Sequence, residues 1–301
     1  MKRKRIGRLV TYGLVFAGIA LVVESPVLRT KAYYALFRIW YRDCPITALK
    51  PLPFHLRRAI RPVPVWRQVE PGVTMWLDPY DFVSLNILAT GEWEPETWHA
   101  LQPHIPAGGT FIDVGAHIGW YSLKAAKAVG PKGRVIAVEP NHETLLKLRD
   151  NIQASGAGAV VVVAPVACSD SETTLTFYAA LRSNTGQSSL SLANASVQGR
   201  VAASYPVRAR RLDDIVREAG VTRVDALKID AEGAEFLVLK GAVETLGRYR
   251  PVVSVELIDA QLQSMGSSVR ELMAFMQSHG YVAKQQFIDE ANAEFEPVTA
   301  P

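Results

Sequence analysis

From Thr110 onward, short β-rich apolar runs alternate with helical patterns, and this alternation constrains the fold more than any other feature of the chain. Strands are expected over residues 110–115, 134–139, 160–165, 224–230 and 251–257, with a last strand or pair near 281–284 and 295–298. Helices are expected from about Gly119 to Val129, from Asn141 to about Asn151, and from about Ser268 to Gly280. Apolar runs buried on both faces and separated by helices imply an α/β protein with a mostly parallel, doubly wound sheet. At 301 residues and 49% hydrophobic positions the chain has enough apolar matter for a large core. Its two cysteines, Cys44 and Cys168, give neither a disulfide framework nor a local zinc-ligand spacing.

Ligands of such sheets sit at the carboxyl ends of the strands, where the strand order reverses. The residues there are Asp113 and Gly115, Glu139, the Cys168-Ser169-Asp170 run, the Asp230-Ala231-Glu232-Gly233 run and Glu256. Asp113-Val114-Gly115-Ala116-His117-Ile118-Gly119 reads as a strand-to-helix turn whose glycines admit a ligand close to the backbone. Glu139 follows at the end of the next strand, where a carboxylate can accept hydrogen bonds from ribose hydroxyls. An adenosine-type cofactor is implied. A dinucleotide site calls for G-x-G-x-x-G, and His117 occupies the place of its second glycine. S-adenosylmethionine has no phosphates but carries a sulfonium and an amino group, and an acid in the turn, Asp113, suits it. The blander role for Asp113 is to cap the helix or satisfy loop amides.

Were a methyl passed from such a sulfonium to an alcohol, the site would need an in-line nucleophile and a base for its proton. Asp230 is the candidate base or substrate anchor, with Glu232 as its partner and Lys228 on the same face of an extended chain. Glu235 fits a structural role, capping the next helix or pairing with Lys240 or Arg248. Asp230 with Glu256 or Asp259 could instead hold a hard divalent cation, although no metal is assigned. The 184–190 loop is polar and contains a glycine, and His142 reads as a surface residue. The adenine-gripping Asn/Asp-Pro-Pro-Tyr/Phe string is missing after the fourth strand, which disfavours an amine acceptor. Asp78-Pro79-Tyr80-Asp81 resembles it superficially and reads as a β-turn.

The front of the chain differs. Residues 1–70 carry 14 Lys and Arg against 3 acids, whereas residues 71–301 carry 19 against 26. A basic start, Lys2-Arg3-Lys4-Arg5, precedes an uncharged run from Leu9 to Val23, and Arg29, Lys31, Arg38 and Arg42 follow it. Fifteen helical residues reach roughly 22 Å, short of a bilayer core, and basic flanks on both sides suit a monotopic or re-entrant segment as well as a span. Aromatic and basic residues mix over 31–40, as in an interfacial helix; single-stranded nucleic acid would explain this mixture but not the apolar run. Prolines at 45, 51, 53, 62, 64 and 71 read as a linker. The expected organisation is therefore a membrane-associating segment and linker over 1–70 and a globular domain over 71–301.

In Gly91-Glu92-Trp93-Glu94-Pro95, the Phe111–Gly119 turn, Val138-Glu139-Pro140, Ala167-Cys168-Ser169-Asp170, and Lys228-Ile229-Asp230-Ala231-Glu232-Gly233-Ala234-Glu235 followed by Leu239-Lys240-Gly241-Ala242, the chain resembles the FkbM-type S-adenosylmethionine-dependent methyltransferases over roughly residues 75–257. It departs from the usual pattern at His117, where Asn is commoner, and at Cys168. The resemblance implies a seven-stranded, Rossmann-like class I methyltransferase fold and methyl transfer to a hydroxyl oxygen, often on sugars, glycolipids or polyketide-type products. With the reading of the strand ends, the candidate cofactor set is Asp113, Gly115, His117, Gly119, Glu139, Ser169 and Asp170, and the candidate catalytic pair is Asp230 and Glu232. With the basic, apolar front end, the expectation is an O-methyltransferase acting on a sugar, glycolipid or lipid-linked glycan at the cytoplasmic membrane face. The alternatives are an NAD-dependent oxidoreductase and a non-catalytic membrane scaffold of the same fold.

Overall fold

The computed structural model describes residues 25, 26, 28, 30–33, 61–197, 199–285 and 291–298. The apolar run 9–23 and most of the 31–40 segment lie outside the described residues, as does Cys44. Among the described residues no helix is long and apolar enough to cross a membrane.

The chain forms two compact units, residues 1–69 with 76–93, and residues 70–75 with 94–301. In the first, helix α1 (Phe82–Thr90) starts at Asp81, whose side chain accepts from Ser84 N, and ends at Gly91 in the left-handed conformation. Tyr80 N donates to Asp78 Oδ1 and Asp81 N to Asp78 O, so the Asp78–Asp81 segment is the expected β-turn. Strands β1 (Val65–Glu70) and β2 (Val73–Leu77) pair with each other.

The second unit holds the remaining strands: β3 (Thr110–Val114), β4 (Arg134–Val138), β5 (Val161–Ala164), β6 (Ala167–Cys168), β7 (Thr173–Ala179), β8 (Ala203–Arg210), β9 (Ala226–Ile229), β10 (Val252–Glu256), β11 (Tyr281–Gln285) and β12 (Asn292–Pro297). Seven of them form the main sheet in the order β11-β12-β10-β9-β3-β4-β5. The run from β10 to β5 is parallel, and β12 is antiparallel to both β10 and β11. β3 and β9 are buried along their whole length, as strands covered on both faces are, and each carries one charged residue into that interior, Asp113 and Lys228. Ile112, Val114, Ile136, Leu227, Ile229, Val253 and Val255 form the core on this sheet.

Helix α2 (Pro95–Leu101) precedes β3; α3 (Trp120–Val129) and α4 (His142–Ala154) follow β3 and β4, α4 running three residues past its expected end. Short α5 (Leu192–Ala195) and α6 (Leu212–Glu218) come next. Helices α7 (Glu235–Lys240), α8 (Val243–Tyr249), α9 (Asp259–Ser264) and α10 (Val269–Ser278) complete the chain order. A second sheet, β6-β8-β7, is an addition that the alternation pattern does not foresee. Its outer strand β7 is largely exposed or half-buried, with Phe177 alone buried, and lacks the long apolar run that marks the main strands. Cys168 at the end of β6 lies in the core, and burial pushes its thiol up to about 12.

Candidate active site

The chain leaves β3 for β4 and β5 on one side and reaches β9 and β10 on the other, so the strand order reverses between β3 and β9. Asp230 N donates to Val114 O there, which brings the two strand-end turns into backbone contact. Gly115 has φ +82, and a Cβ on it would fall 1.8 Å from Asp230 O. This position must be glycine because two main chains meet at it. Gly119, with φ +95, caps α3 against Leu148.

On the β3–β4 side, Glu139 is buried and accepts three hydrogen bonds: Asn141 N and Thr144 Oγ1 at Oε1, and His117 N at Oε2. Burial raises its pKa to about 7 against the lowering effect of these donors. Asp113 is also buried, with Oδ2 accepting from Ser122 Oγ at 2.6 Å while Oδ1 has no hydrogen-bond partner. His117 sits at φ +51, and its Nε2 meets Thr185 Oγ1 at 2.8 Å. Its backbone thus orients Glu139 and its ring ties down the 184–190 loop. The same loop reaches the opposite side through Ser189 Oγ, which donates to Glu232 O.

On the β9–β10 side, Lys228 is buried in β9 directly across from Asp113. Its ammonium contacts Asp230 Oδ2 at 2.8 Å and lies 4.5 Å from the Tyr121 ring centre. Burial opposes the charge, but Asp230, Glu94 and Asp113 outweigh it and hold the Lys228 pKa above the usual lysine range. Tyr121 donates its O–H to Glu94 Oε2 at 2.7 Å. Glu94 and Tyr121 escaped the residue-by-residue reading; the signal available for them was position, Glu94 in the Gly91–Pro95 string and Tyr121 in the first turn after Gly119.

Oxygens of Asp230, Glu232 and Glu256 lie within 4.8 Å of one another. Burial raises Glu232 and Glu256 well above the carboxylate range, with Asp230 adding to both. Glu232 stands at φ +52, a conformation costly for a side-chain-bearing residue, and Gln261 Nε2 donates to its Oε2 at 2.8 Å. Glu235 accepts from Ala231 N and Gly233 N and so closes the loop, the structural role open to it; Lys240, one of its expected partners, pairs with Asp170 instead. Asp259 does not join the acids: its oxygens accept from Val269 N and the Gln263 side chain. Its place as a cation ligand beside Asp230 is therefore corrected, because α9 begins at Asp259 and the side chain serves the α9–α10 connection.

Ser169 and Asp170 line a separate cavity of about 300 Å³ with Leu175, Tyr178, Leu190 and Met265, and none of Asp113, Gly115, His117, Gly119 and Glu139 lines it. His142 is exposed and stacks on Tyr205, with ring centres 4.3 Å apart.

The profile of the methyltransferase FkbM domain matches residues 113–283, which span both sides of this cleft. The chain belongs to the FkbM methyltransferase family. It is 27% identical to methyltransferase sdnD of Sordaria araneosa over 221 residues, 65% of this chain and 83% of that protein. It is 26% identical over 206 residues, 59% of this chain, to AMB antimetabolite synthetase AmbE of Pseudomonas aeruginosa, and the match spans 10% of that protein's length. The structure is similar to that of methyltransferase FkbM from Methylobacillus flagellatus, with a TM-score of 0.42 and 15% identity over 96% of this chain and 60% of that one. S-adenosylmethionine is the cofactor expected of the family. The residues present fit it: Asp113 Oδ1 is an open acceptor, and Glu139 Oε2 keeps a lone pair beyond the His117 bond for a donor such as a ribose hydroxyl.

Proposed function

We propose that this FkbM-family methyltransferase transfers the methyl group to a hydroxyl oxygen of a sugar, glycolipid or lipid-linked glycan, and that it works at the cytoplasmic face of a membrane. The observation that carries the O-transfer reading is the placing of Asp230 at the strand-order reversal, paired with buried Lys228 and in backbone contact with the turn that holds Asp113 and Gly115. S-adenosylmethionine, when bound, supplies an electrophilic methyl on sulfur. Asp113 and Glu139 would hold its amino and ribose groups, and the Gly115 turn would let it lie against the backbone. Asp230, fixed through one oxygen by Lys228, keeps its other oxygen for the acceptor hydroxyl and would accept that proton when the methyl passes from sulfur to oxygen, the C–S bond breaking as the C–O bond forms. Glu232, tethered by Gln261, lines the same space as a second acceptor for substrate hydroxyls. A side facing the acceptor with carboxylates suits a polyhydroxylated ligand. The membrane reading rests on the sequence of residues 2–42, whose basic flanks and apolar run match an anionic lipid surface.

Calorimetric titration of the full chain in detergent with S-adenosylmethionine and S-adenosylhomocysteine, with NAD as the control, is the first test. Saturable binding of the first two, weakened at least about tenfold by Asp113→Ala and by Glu139→Ala, is expected; NAD binding alone would defeat the reading. Transfer of labelled methyl into a chloroform-soluble membrane fraction, and not into a soluble glycan fraction, is the result expected for the acceptor class. Protease protection of terminal tags in membrane vesicles reads the side of the membrane, and a lumenal or external catalytic domain would sink the cytoplasmic assignment.

A further inference from the structure

The side chains around Asp230 form a set rich in acceptors and poor in donors. Asp230 opens the loop after β9, Glu232 follows it, and Glu256 ends β10, so three carboxylates arrive from two neighbouring strands. Among the three acids Lys228 pairs directly with Asp230 alone, and its charge, felt also by Glu232 and Glu256, is shared with the Glu94 and Asp113 charges. Among the described residues no lysine or arginine pairs with Glu232 or Glu256. Two further observations are independent of the proximity of the acids. Glu256 Oε2 is a buried atom with no hydrogen-bond partner, although its carboxylate points among the other two. Gln261, from α9, gives its amide N–H to Glu232, which leaves its own carbonyl Oε1 buried beside the cluster and equally without a donor.

Buried acceptors left without donors are costly, and both orphans adjoin the same three acids. A proton on one carboxylate relieves one repulsion but supplies a single donor. A hard cation accepts oxygen from all directions at once. Ligand distances of about 2.1 Å for Mg2+ to 2.5 Å for Ca2+ put ligand oxygens roughly 3 to 5 Å apart, and the three carboxylates lie within 4.8 Å of each other. We propose that Asp230, Glu232 and Glu256 bind one hard divalent cation, with the Gln261 carbonyl turned toward the same ion. The three acids are only partly exposed, so the ion stays open on one side. Resting on the O-methyltransferase reading, that open side takes the acceptor hydroxyl, and the ion orients the hydroxyl oxygen and makes its proton easier to remove.

The other acid and histidine grouping among the described residues, His104 with Glu294 and Glu296, provides the internal control. There Lys284 already pairs with Glu296.

The test is titration of Mn2+ alone into the metal-stripped full chain in detergent near pH 7.5, followed by loss of the free Mn2+ electron paramagnetic resonance signal. One saturable site per chain, displaced by excess Mg2+, is expected. Glu256→Gln and Asp230→Asn should each weaken it at least about tenfold, while Glu296→Gln leaves it unchanged. Thermal melting of the same proteins separates binding from misfolding: Mn2+ should raise the melting temperature of the wild type and leave that of Glu256→Gln unmoved, with both folded in its absence. No saturable Mn2+ site in the wild type, a site indifferent to Glu256→Gln and Asp230→Asn, or a site lost only in Glu296→Gln would each overturn the proposal. S-adenosylmethionine titration of these proteins is a separate readout. If the wild type binds Mn2+ but not S-adenosylmethionine, the cation site stands and the methyltransferase reading falls.

Discussion

Glu139 on one side of the cleft accepts three hydrogen bonds from its own neighbourhood, whereas Glu256 on the other has a buried oxygen that accepts none. Both carboxylates end a strand of the same sheet and both are pushed up by burial. The β3–β4 side is built nearly to completion from its own backbone, with Asp113 Oδ1 and part of Glu139 Oε2 left open. The β9–β10 side presents acids to one another and to Lys228. A preorganised receptor for a ligand of constant shape needs few free valences, while a region that handles an acceptor's proton needs unsatisfied ones. On the proposed function, the contrast matches cofactor to the first side and chemistry to the second.

Gly115→Ala attacks the joint between the sides. Its Cβ would meet the Asp230 carbonyl at 1.8 Å on a left-handed backbone, so the two turns must part. A melting temperature lowered by more than about 10 °C, or insoluble protein, is expected in circular dichroism melts; a fall of a few degrees would show that the joint yields easily. Asp230→Asn separates the two sides more finely. Turnover should drop on the order of 10²- to 10⁴-fold with the dissociation constant for S-adenosylmethionine changed by less than about threefold, measured by product release and by calorimetry. Equal losses in both would place Asp230 on the cofactor side.

Acid burial gives a third, smaller effect. Glu139 and Glu235 both have folded-state values raised to about 7. Their native carboxyls therefore hold protons that the unfolded chain releases above its ordinary carboxylate range, so stability is fullest below about pH 4.5 on their account and is lost as pH rises through about 7. Denaturant midpoints of the ligand-free protein at pH 5 and pH 7.5 should show the decline, on the order of a few kcal/mol. Glu139→Gln should flatten it. The smallest effect is expected at Asp170, whose pair with Lys240 at 2.9 Å joins two side chains each more than a third exposed. Asp170→Asn should cost under about 1 kcal/mol and leave S-adenosylmethionine binding unchanged, because the residue lines the separate cavity. A tenfold loss of binding would place Ser169 and Asp170 on the cofactor.

The main sheet was legible because strands buried on both faces are mostly apolar, and the expected runs at 110–115, 134–139 and 251–257 overlie β3, β4 and β10. The β6-β8-β7 sheet was not, since its half-exposed strands carry Thr, Ser and Arg at the positions a buried strand would fill with Val or Ile. In the site, Asp113, Glu139 and Asp230 declared themselves as acids ending apolar strands. His117 did not: its place in the turn was visible, but the bond from its ring to Thr185, 68 residues away in sequence, was not. Gln261 gave no signal, being a polar residue on a short helix like many others.

The sequence alone determined the strand-turn-helix units, the acids at their ends and the glycine at the joint, because each depends on local periodicity and on backbone conformation within a few residues. The FkbM-type motifs are likewise contiguous strings. Only the tertiary structure decided which acids share a space. Parallel pairing of β3 with β9 sets Lys228 opposite Asp113, and pairing of β9 with β10 brings Glu256 to Asp230 and Glu232, while Asp259, three residues further on, is turned to the α9–α10 connection. Charge interactions act through space over a few ångströms, and the register of strands distant in sequence sets those separations.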